Sequence, residues 1–497
     1  MRRYKEGIHR GQSDLFPSRL DDYVDESNPV RAIDAYVETL DLERMGFGNT
    51  REDVRPGQPP YSPGALLKLY LYGYIHRIRS SRHLEQESKR NLEVIWLLSG
   101  LRPCYKTIAD FRKDNAKALR KTHKEFILLC KELKLFGAER IAIDGSFFRG
   151  NVSKKSFITQ KGLTKAIKAL EADITAWLSG LDTQDQRETS GDSTDNTGLS
   201  EKLTRIKQLQ ENKQRQEDQL RQLQALGKTQ YSHIDSDARL LNKGTQKLVG
   251  YNVQIATDDK HKLIVADDLL SEPNDLQSLA PMAKSAKATL EADTLDALAD
   301  GGYYNTAHIV ECLQDGITPY VPMPEHTGKS PNRGVKLRRQ AFVYDEQCNV
   351  YRCPAGQEMK PAEEPRIIRG MRMWRYASSE THCGSCQWRG DCLSAKSKCR
   401  EIWRNEHEAL IEQHRQRMDA NTKVMRLRAG LVEHPFGTLK QRAGWSHFLV
   451  RGKPKVLGEW SLMVMTYNFT RVLNILGMEK FIEICTQLHK EGHLMPA

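Results

Sequence analysis

The chain has 497 residues, of which 39% are apolar and 28% are charged. This length predicts roughly two to four domains. The composition excludes both a polytopic membrane protein and a wholly disordered chain. Lysine and arginine number 76 against 64 acidic residues, which gives a net charge of +12. Such an excess is typical of proteins that bind nucleic acid, although it also occurs in basic enzymes where it only aids solubility.

The beginning of the sequence is basic but lacks an apolar stretch behind the charges, so we expect no signal peptide. The longest apolar stretch, near 456–472, is interrupted by Glu459, Asn468 and Arg471 and is interpreted as a buried helix rather than a membrane span. We therefore expect a cytoplasmic protein with no membrane partner.

A helical domain is predicted over residues 1–137. Apolar residues recur at helical spacing in 30–40, 65–75, 92–98 and 119–135, and basic stretches lie between them. Thr107 is placed to cap a short basic helix that contains Arg112. We interpret this region as a DNA-binding domain in which Arg82 and Arg112 contact DNA, one helix acting as in a helix-turn-helix. A solvated basic helix face is the alternative for any single helix.

A mixed α/β sheet is predicted after this domain. The first strand is the β-branched run that ends near 144, and further strands are expected at 248–256, 262–266, 296–300 and 317–322. The segments 163–181 and 199–226 are helical, and a polar linker near 183–197 joins them. They predict an antiparallel helical hairpin inserted at 161–227. The sheet domain is therefore expected in three pieces, 138–160, 228–325 and 401–480.

Three carboxylates stand out by their context. Asp144 and Asp300 each end a predicted strand and precede a glycine, and Glu433 lies on a predicted helix. Side chains at strand ends are well placed for chemistry, because the strand fixes the backbone while the side chain faces a crevice. Three such groups would hold two divalent metal ions, Mg²⁺ or Mn²⁺, which prefer oxygen ligands. The alternatives are ordinary Asp-Gly turns and a solvated helix glutamate.

Positive charge surrounds Glu433 in the sequence. Arg426 and Arg428 precede it, and Lys440 and Arg442 follow it. On a helix, Lys440 is two turns beyond Glu433 on the same face, so it is placed to contact the phosphate next to a scissile bond. The arginines would neutralise further phosphates. A solvated basic face is the alternative.

Six of the ten cysteines lie between 348 and 399, in a segment expected to be an insertion at 326–400. Cys383 and Cys386 form a C-x₂-C pair, and we expect four ligands of a structural Zn²⁺ ion to come from a larger set: Cys353, Cys383, Cys386, Cys392 and Cys399. An iron–sulfur cluster would use similar ligands. Unligated thiols in a loop are the remaining alternative.

Several motifs together carry a family resemblance. They are Ser80-Ser-Arg82, Thr107-Ile-Ala-Asp-Phe-Arg112, Ile143-Asp-Gly145, Asp235-Ser-Asp-Ala-Arg239, Gly250-Tyr-Asn-Val-Gln254, Ala299-Asp-Gly-Gly-Tyr303 and Val432-Glu-His-Pro-Phe-Gly437 with Lys440. Through them the sequence resembles the DDE transposases of bacterial insertion sequences along nearly its whole length. It departs from the family's tyrosine–arginine–glutamate–lysine signature, since Met425 stands near the position of the tyrosine and the arginine is offset.

The resemblance implies an α/β fold with an RNase H-like mixed sheet flanked by helices. The resemblance also implies an all-α N-terminal domain, the helical hairpin and a small Cys-rich metal-binding insertion. It implies that Asp144, Asp300 and Glu433 bind two Mg²⁺ ions. Such enzymes cut at element ends and join the freed 3′-hydroxyl to target DNA. The expected partners are terminal inverted repeats, target DNA and further copies of the chain, in a homodimer or a higher synaptic complex.

Two other functions stay open at this point. One is a metal-dependent nuclease that cuts DNA without rejoining it, and the other is a catalytically silent DNA-binding regulator derived from a transposase. A separate question concerns Asp235, Asp237 and Arg239, which precede a predicted strand. An Asx-turn is the interpretation we favour. The alternatives are an approach of the acidic pair to the metal site and a role in ordering the base of the helical hairpin.

Overall fold

The computed structural model describes residues 19–49, 59–153, 156–188, 196–227, 229–232, 234–243, 246–270, 272–324, 336–368, 371–394 and 397–491. Over these residues the chain is a mixed α/β protein with many helices, as predicted. None of the helices in these ranges combines the length and the apolar character needed to cross a bilayer.

Seven helices follow a short 3₁₀ turn at Leu20–Tyr23. They are α1 (Val30–Glu38), α2 (Leu42–Met45), α3 (Pro63–Ile75), α4 (Ser81–Arg90), α5 (Leu92–Leu97), α6 (Tyr105–Asp114) and α7 (Ala116–Glu132). Helix α3 begins where Ser62 accepts a hydrogen bond from the Gly64 N–H and Pro63 occupies the first turn. Most of its side chains are buried, so α3 lies at the centre of the helical region.

The central part of the chain alternates strands and helices. Its elements are β1 (Arg140–Arg149), β2 (Phe157–Thr159), α8 (Gln160–Glu188), α9 (Asn196–Ala225), β3 (Gln230–Ser232), β4 (Arg239–Lys243), β5 (Gln246–Asp258), β6 (Ile264–Leu270), α10 (Leu279–Leu290), β7 (Leu295–Leu298), α11 (Thr306–Gln314) and β8 (Ile317–Tyr320). Strands β2 and β3 form a separate antiparallel ribbon at the base of α8 and α9.

Six of these strands form the main sheet. Strand β5 is antiparallel to β1 on one side, and on the other side to β4 and β6, which pair with different halves of it. Strands β7 and β8 extend the sheet beyond β1, and both run parallel to it. The sheet order is therefore β4-β5-β1-β7-β8, with β6 beside β4 on the same side of β5. Four strands joined by antiparallel pairings come first in the chain, and two parallel strands come after them.

Helices α8 and α9 pack against each other, and an ion pair of 2.9 Å joins Lys213 to Glu171 across them. Helix α8 continues to residue 188 and α9 begins at 196, so the two helices take up most of the expected linker at 183–197. The glutamine, arginine and glutamate at 184–188 favour helix, which explains the extension. Residues 189–195 of that linker lie outside the described ranges.

A second sheet occupies the cysteine-rich part of the chain. Its strands are β9 (Val343–Asp345), β10 (Val350–Arg352), β11 (Glu358–Pro361), β12 (Arg366–Ile368), β13 (Met371–Ala377) and β14 (Glu401–Asn405), with short helices α12 (Glu380–Gly384) and α13 (Arg389–Cys392) before the last strand. All their pairings are antiparallel. A small separate core, with Tyr351, Met359 and Tyr376 at its centre, stabilises this unit. Because β14 pairs with β13, the unit extends beyond residue 400, where we had placed its end.

The chain ends in helices α14 (Glu408–Ala420), α15 (Val424–Phe436), α16 (Lys453–Leu476) and α17 (Met478–Lys490), with a π-helical segment at Gly437–Arg442 directly after α15. Helix α16 is buried along most of its length and packs against α3, α6 and α7 as well as against β6. One continuous apolar core therefore spans the N-terminal helices and the main sheet. The expected boundary at residue 137 does not separate two cores.

A buried carboxylate on α16 also ties these parts together. Glu459 is fully buried, accepts a hydrogen bond of 2.8 Å from the Leu449 N–H, and lies 3.3 Å from the Tyr74 hydroxyl. The guanidinium groups of Arg79 and Arg112 lie 3.6 and 3.8 Å from it. Arg112, which the sequence pattern led us to assign to DNA, is only 6% exposed and stacks over Tyr70. It is an interior ion-pair partner in this fold, and we correct that assignment.

Candidate active site

The register of two neighbouring strands brings the first two predicted carboxylates together. Strands β1 and β7 are parallel, and their last paired residues are Ala142 and Leu298. Asp144 and Asp300 each lie two residues beyond that pair, so both lie where the pairing of β1 with β7 ends, on strands about 5 Å apart. Asp300 follows the end of β7, but β1 continues to Arg149 through its pairing with β5, so the expectation that Asp144 ends a strand is wrong. The Asp300 carboxylate accepts a hydrogen bond of 2.8 Å from the Gly302 N–H, which fixes the turn after β7.

Asp144 is largely buried, and its surroundings are mixed in charge. Burial is the main cause that raises the pKa of its carboxyl group to about 6. The Arg428 guanidinium, with Nη1 3.8 Å from the carboxylate, and the Gly145 N–H oppose that shift, while the negative charges of Asp300 and Asp275 add to it. Carboxyl groups whose pKa values lie near neutrality often mark functional sites.

Asp275 is a third carboxylate at this edge, and the sequence analysis missed it. Its Oδ1 accepts hydrogen bonds of 2.8 Å from the Asn252 amide and 2.6 Å from the Gln254 amide. The Gln254 carbonyl oxygen in turn accepts a hydrogen bond from the Tyr303 hydroxyl. Asn252, Gln254 and Tyr303 are fully buried, so this network has fixed geometry. The negative charges of Asp275, Asp144 and Asp300 all act on Tyr303.

Gly145 makes room for this network. Strand pairing sets Gly145 opposite Gln254. A Cβ atom at Gly145 would lie 2.3 Å from Gln254 Nε2 and 2.8 Å from Asp275 Oδ1, distances that no side chain tolerates. The glycine of the first Asp-Gly motif therefore permits Asp275 and Gln254 to approach β1 beside Asp144.

Two polar residues on β5, separated by a single residue, were the available signal for this network. Asn252 and Gln254 share one face of a strand whose other residues are mostly apolar. Buried amides on a strand require partners, and a nearby carboxylate is a natural one. The segment 273–275, Pro-Asn-Asp, reads instead as a turn, which hid the partner.

Glu433 occupies a different position from the two aspartates. Helix α15 packs Leu431 and Val432 onto Ala142 of β1 and Leu298 of β7, so the helix lies over the strands that lead to Asp144 and Asp300. Glu433 itself is exposed, and its carboxylate has no hydrogen bond or ion pair within the described residues. In that part of the chain no three His, Cys, Asp or Glu side chains are arranged closely enough to hold a metal ion.

The predicted cations around Glu433 divide into two groups. Arg428 faces Asp144, as described above, and Lys440 faces the next part of β1. The Lys440 ammonium donates hydrogen bonds of 2.6 Å to Ser146 Oγ and 2.7 Å to the Phe147 carbonyl oxygen. Arg426 and Arg442 are exposed. Lys440 is thus positioned beside the strand that carries Asp144, through a serine that the sequence analysis did not single out.

Arg82, the remaining predicted DNA contact, lies at the start of α4. It is exposed, and its guanidinium stacks over the Tyr105 ring at 5.3 Å. A guanidinium held over an aromatic ring keeps its charge at the surface with reduced rotamer freedom. The structure does not bring Arg82 near Asp144.

The cysteines of the second sheet converge in part. A cavity of about 220 Å³ has four of them in its wall together with His382, the cysteines being Cys353, Cys383, Cys386 and Cys392. Burial is the main cause that raises the pKa of Cys392, and the neighbouring thiols contribute. The Cys399 thiol also interacts with Cys383, whereas Cys348 is exposed. Every cysteine in the chain lies in the described residues as a free thiol.

The acidic pair before β4 has structural roles. The Asp235 carboxylate is buried, accepts hydrogen bonds of 2.8 Å from the Tyr251 hydroxyl, and accepts the Asp237 N–H at 3.3 Å. That last bond closes the turn, which confirms the favoured interpretation. Asp237 accepts the Lys453 N–H at 2.9 Å and so binds the start of α16. The Arg239 guanidinium donates to the carbonyl oxygens of Ser236 and Ala238.

Two family models match the chain. Residues 18–114 match a family described as transposase domain (DUF772), and residues 352–473 match one described as transposase DDE domain. The chain is a DDE-type transposase. Enzymes of this class cleave DNA and transfer strands, and they generally use divalent metal ions. The second match includes Glu433 and Lys440 of the transposase, whereas Asp144 and Asp300 lie between the two matched segments.

The other comparisons of the transposase with known proteins add little information. No curated protein matches it. Among solved structures it is similar to the piggyBac transposase in a cryo-EM structure of its synaptic complex with hairpin DNA, at 10% sequence identity and a TM-score of 0.33. That likeness covers 98% of this chain and 85% of the other.

Proposed function

We propose that this transposase cuts DNA at the ends of an insertion sequence and joins the freed 3′-hydroxyl to target DNA. The observation that carries the proposal is the parallel register of β1 and β7, which sets Asp144 beside Asp300 at one sheet edge. The cations Arg428 and Lys440 lie next to the same strand. Carboxylates for metal ions and cations for phosphates are the groups that phosphoryl transfer on DNA requires.

The order of the main sheet supports an RNase H-like catalytic domain. Four strands joined by antiparallel pairings come first in the chain, and the two later strands lie parallel to β1 on its other side. The long helices α8 and α9 enter between the first and second strands of this sheet, and the second, cysteine-rich sheet enters between its last strand and α15. Both insertions leave the edge with Asp144 and Asp300 intact.

The carboxylates at that edge have the donor chemistry that a hard divalent cation prefers, although no three of them stand close enough to hold one in the part of the chain that the structure describes. They supply oxygen donors, and the mutual repulsion of Asp144, Asp300 and Asp275 would be relieved by positive charge. We assign Mg²⁺ or Mn²⁺ to Asp144 and Asp300, with Glu433 of α15 as the third ligand. When bound, such ions activate the attacking oxygen and stabilise the leaving oxygen. Asp275, held by two buried amides, positions the loop beside these ligands rather than serving as one of them.

The residues of the chain have separate tasks in this scheme. Arg428 neutralises the charge around Asp144 and contacts the DNA backbone close to the carboxylates. Lys440, held beside Ser146, contacts the phosphate next to the scissile bond. Arg82, Arg426 and Arg442 are exposed and available for further phosphates. Arg112 is excluded because it is buried.

Terminal inverted repeats and target DNA are the proposed substrates, and a homodimer or a higher synaptic complex is the proposed active form. Joining two ends of one element requires that both ends be held together, which a single catalytic edge in one chain does not provide. The surface that joins the copies is not assigned.

A structural Zn²⁺ ion is a second part of the proposal. Cysteines 353, 383, 386 and 392 surround one cavity and Cys399 lies beside Cys383, so four thiolates are available within a small volume. We expect about one zinc ion per chain in protein purified without chelator. Elemental analysis of Cys383→Ser should show that the zinc is lost, whereas Cys348→Ser, which changes an exposed cysteine outside the cavity, should retain it. Zinc-free wild-type protein would refute this assignment.

Cleavage and joining test the main proposal. Purified protein is incubated with Mg²⁺ or Mn²⁺ and supercoiled DNA that carries the flanks of its own gene. The wild type should cut at the element ends and produce joined products, and Asp144→Asn should bind the DNA without cutting it. Asp293→Asn, a change at an exposed aspartate before β7, is the matched control and should cut normally.

Each other outcome points to one of the alternative functions. Cleavage without joined product would indicate a nuclease. Binding without cleavage by the wild type would indicate a regulator. Cleavage that survives in Asp144→Asn would refute the assigned catalytic centre.

A further inference from the structure

A cavity of about 270 Å³ lies on the far side of the segment that carries Glu433 and Lys440. The end of α3, the π-helical segment and α16 form its walls. The side chains that matter for its chemistry are Arg77, His434, Arg442, Trp445 and Arg471. Neither the assigned carboxylates nor Lys440 are part of this wall, so the cavity is separate from the candidate active site.

The cavity is positively charged. Three arginines line it, Arg77, Arg442 and Arg471, and its wall contains no aspartate or glutamate. The Arg471 guanidinium uses two of its nitrogens on the His261 carbonyl oxygen, which fixes its position.

We propose that this cavity binds a backbone phosphate of DNA. A phosphodiester supplies the negative charge that matches Arg77, Arg442 and Arg471 and the oxygens that their guanidinium groups can bind. Lys440 and Arg442 are two residues apart, yet Lys440 faces Ser146 on β1 whereas Arg442 faces the cavity. The short segment from Lys440 to Arg442 can thus contact a DNA strand on both of its sides. The inference rests on the proposed function, because it takes DNA to be the substrate.

The test measures affinity for a short duplex of random sequence, by fluorescence anisotropy in EDTA over a series of salt concentrations. A phosphate contact carries no sequence information, so the element ends are not needed. The double variant Arg77→Ala/Arg442→Ala should bind about tenfold more weakly. The slope of log K against log salt should fall by about one, the value expected for loss of a single phosphate contact.

Two further measurements separate binding from folding. The urea midpoint of the double variant should stay close to the wild-type value, because Arg77 and Arg442 are both exposed. Lys124→Ala is the matched control for charge. Lys124 lines a different cavity, which also contains Asp41 and Glu125, and its loss should leave the salt slope unchanged.

Unchanged affinity and salt slope in the double variant would refute the phosphate cavity. If the double variant binds like the wild type and the wild-type protein cuts and joins DNA, the proposed function stands without the phosphate cavity. A wild-type protein that fails to bind any duplex would overturn both.

Discussion

Replacing Asp144 with asparagine should stabilise the metal-free protein at neutral and alkaline pH while it abolishes cleavage. In the folded chain the Asp144 carboxyl is largely buried, with a pKa of about 6 against an ordinary value of 3.8. Between these values the folded state holds a proton that the unfolded state releases. The folded protein therefore loses stability as the pH rises from 3.8 to 6, and above 6 the full cost of the buried charge is present.

The size of the effect follows from that shift. The two pKa values differ by about two units, and each unit corresponds to about 1.4 kcal/mol, so the buried charge costs about 3 kcal/mol above pH 6. Asparagine has nearly the same shape and cannot ionise. In EDTA, Asp144→Asn should raise the free energy of unfolding by about 3 kcal/mol at about pH 8 and by much less at about pH 4.

Urea unfolding followed by tryptophan fluorescence measures this difference at the two pH values. The exposed control Asp293→Asn should change the urea midpoint little at either pH. Added Mg²⁺ should raise the midpoint of the wild type at alkaline pH but not that of Asp144→Asn, since a metal ion relieves the same repulsion. If Asp144→Asn destabilises the protein equally at both pH values, the argument from burial is refuted.

Three further changes test the surroundings of the site. Asp275→Ala should lower the free energy of unfolding by about 2 kcal/mol, because it leaves the buried Asn252 amide without an acceptor and removes one of the two acceptors of the Gln254 amide. Urea unfolding measures the loss, and cleavage assays should show a slower rate at the same DNA affinity. Lys440→Met should slow single-turnover cleavage by about a hundredfold, since it removes a cation beside the reacting phosphate; an unchanged rate would exclude Lys440 from the reaction. Glu459→Ala should cost about 3–5 kcal/mol by leaving two buried arginines unpaired, whereas Glu479→Ala on the surface of α17 should alter the urea midpoint little.

The strand before Asp300 and the first half of β1 before Asp144 were predictable because their signals are local. Each is a short apolar run followed by an Asp-Gly pair, but β1 continues past that pair to Arg149 because it stays paired with β5. The proximity of the two aspartates was harder to predict, since they are 300 − 144 = 156 residues apart in the sequence and meet through the pairing of β1 with β7. Only the resemblance to a known family suggested that pairing before the structure did.

Arg112 shows where a local pattern misleads. A basic residue on a short capped helix reads as a DNA contact, and nothing within that helix tells which face is covered. The partner that buries it, Glu459, comes 459 − 112 = 347 residues later. A glutamate inside an otherwise apolar helix was the available sign, since a buried carboxylate requires cations or N–H donors close by.

The segment after α15 shows why local geometry matters for the function. Pro435 has no N–H and therefore donates no helical hydrogen bond, and the next turn widens, so that the Ala443 N–H donates to the Thr438 carbonyl oxygen five residues back. Successive side chains of a helix turn by about 100°, so residues two positions apart point to nearly opposite sides. Lys440 therefore reaches Ser146 while Arg442 reaches the cavity on the other side. Widened turns of this kind are frequent at functional sites, and here one turn serves both the strand with Asp144 and the proposed phosphate contact.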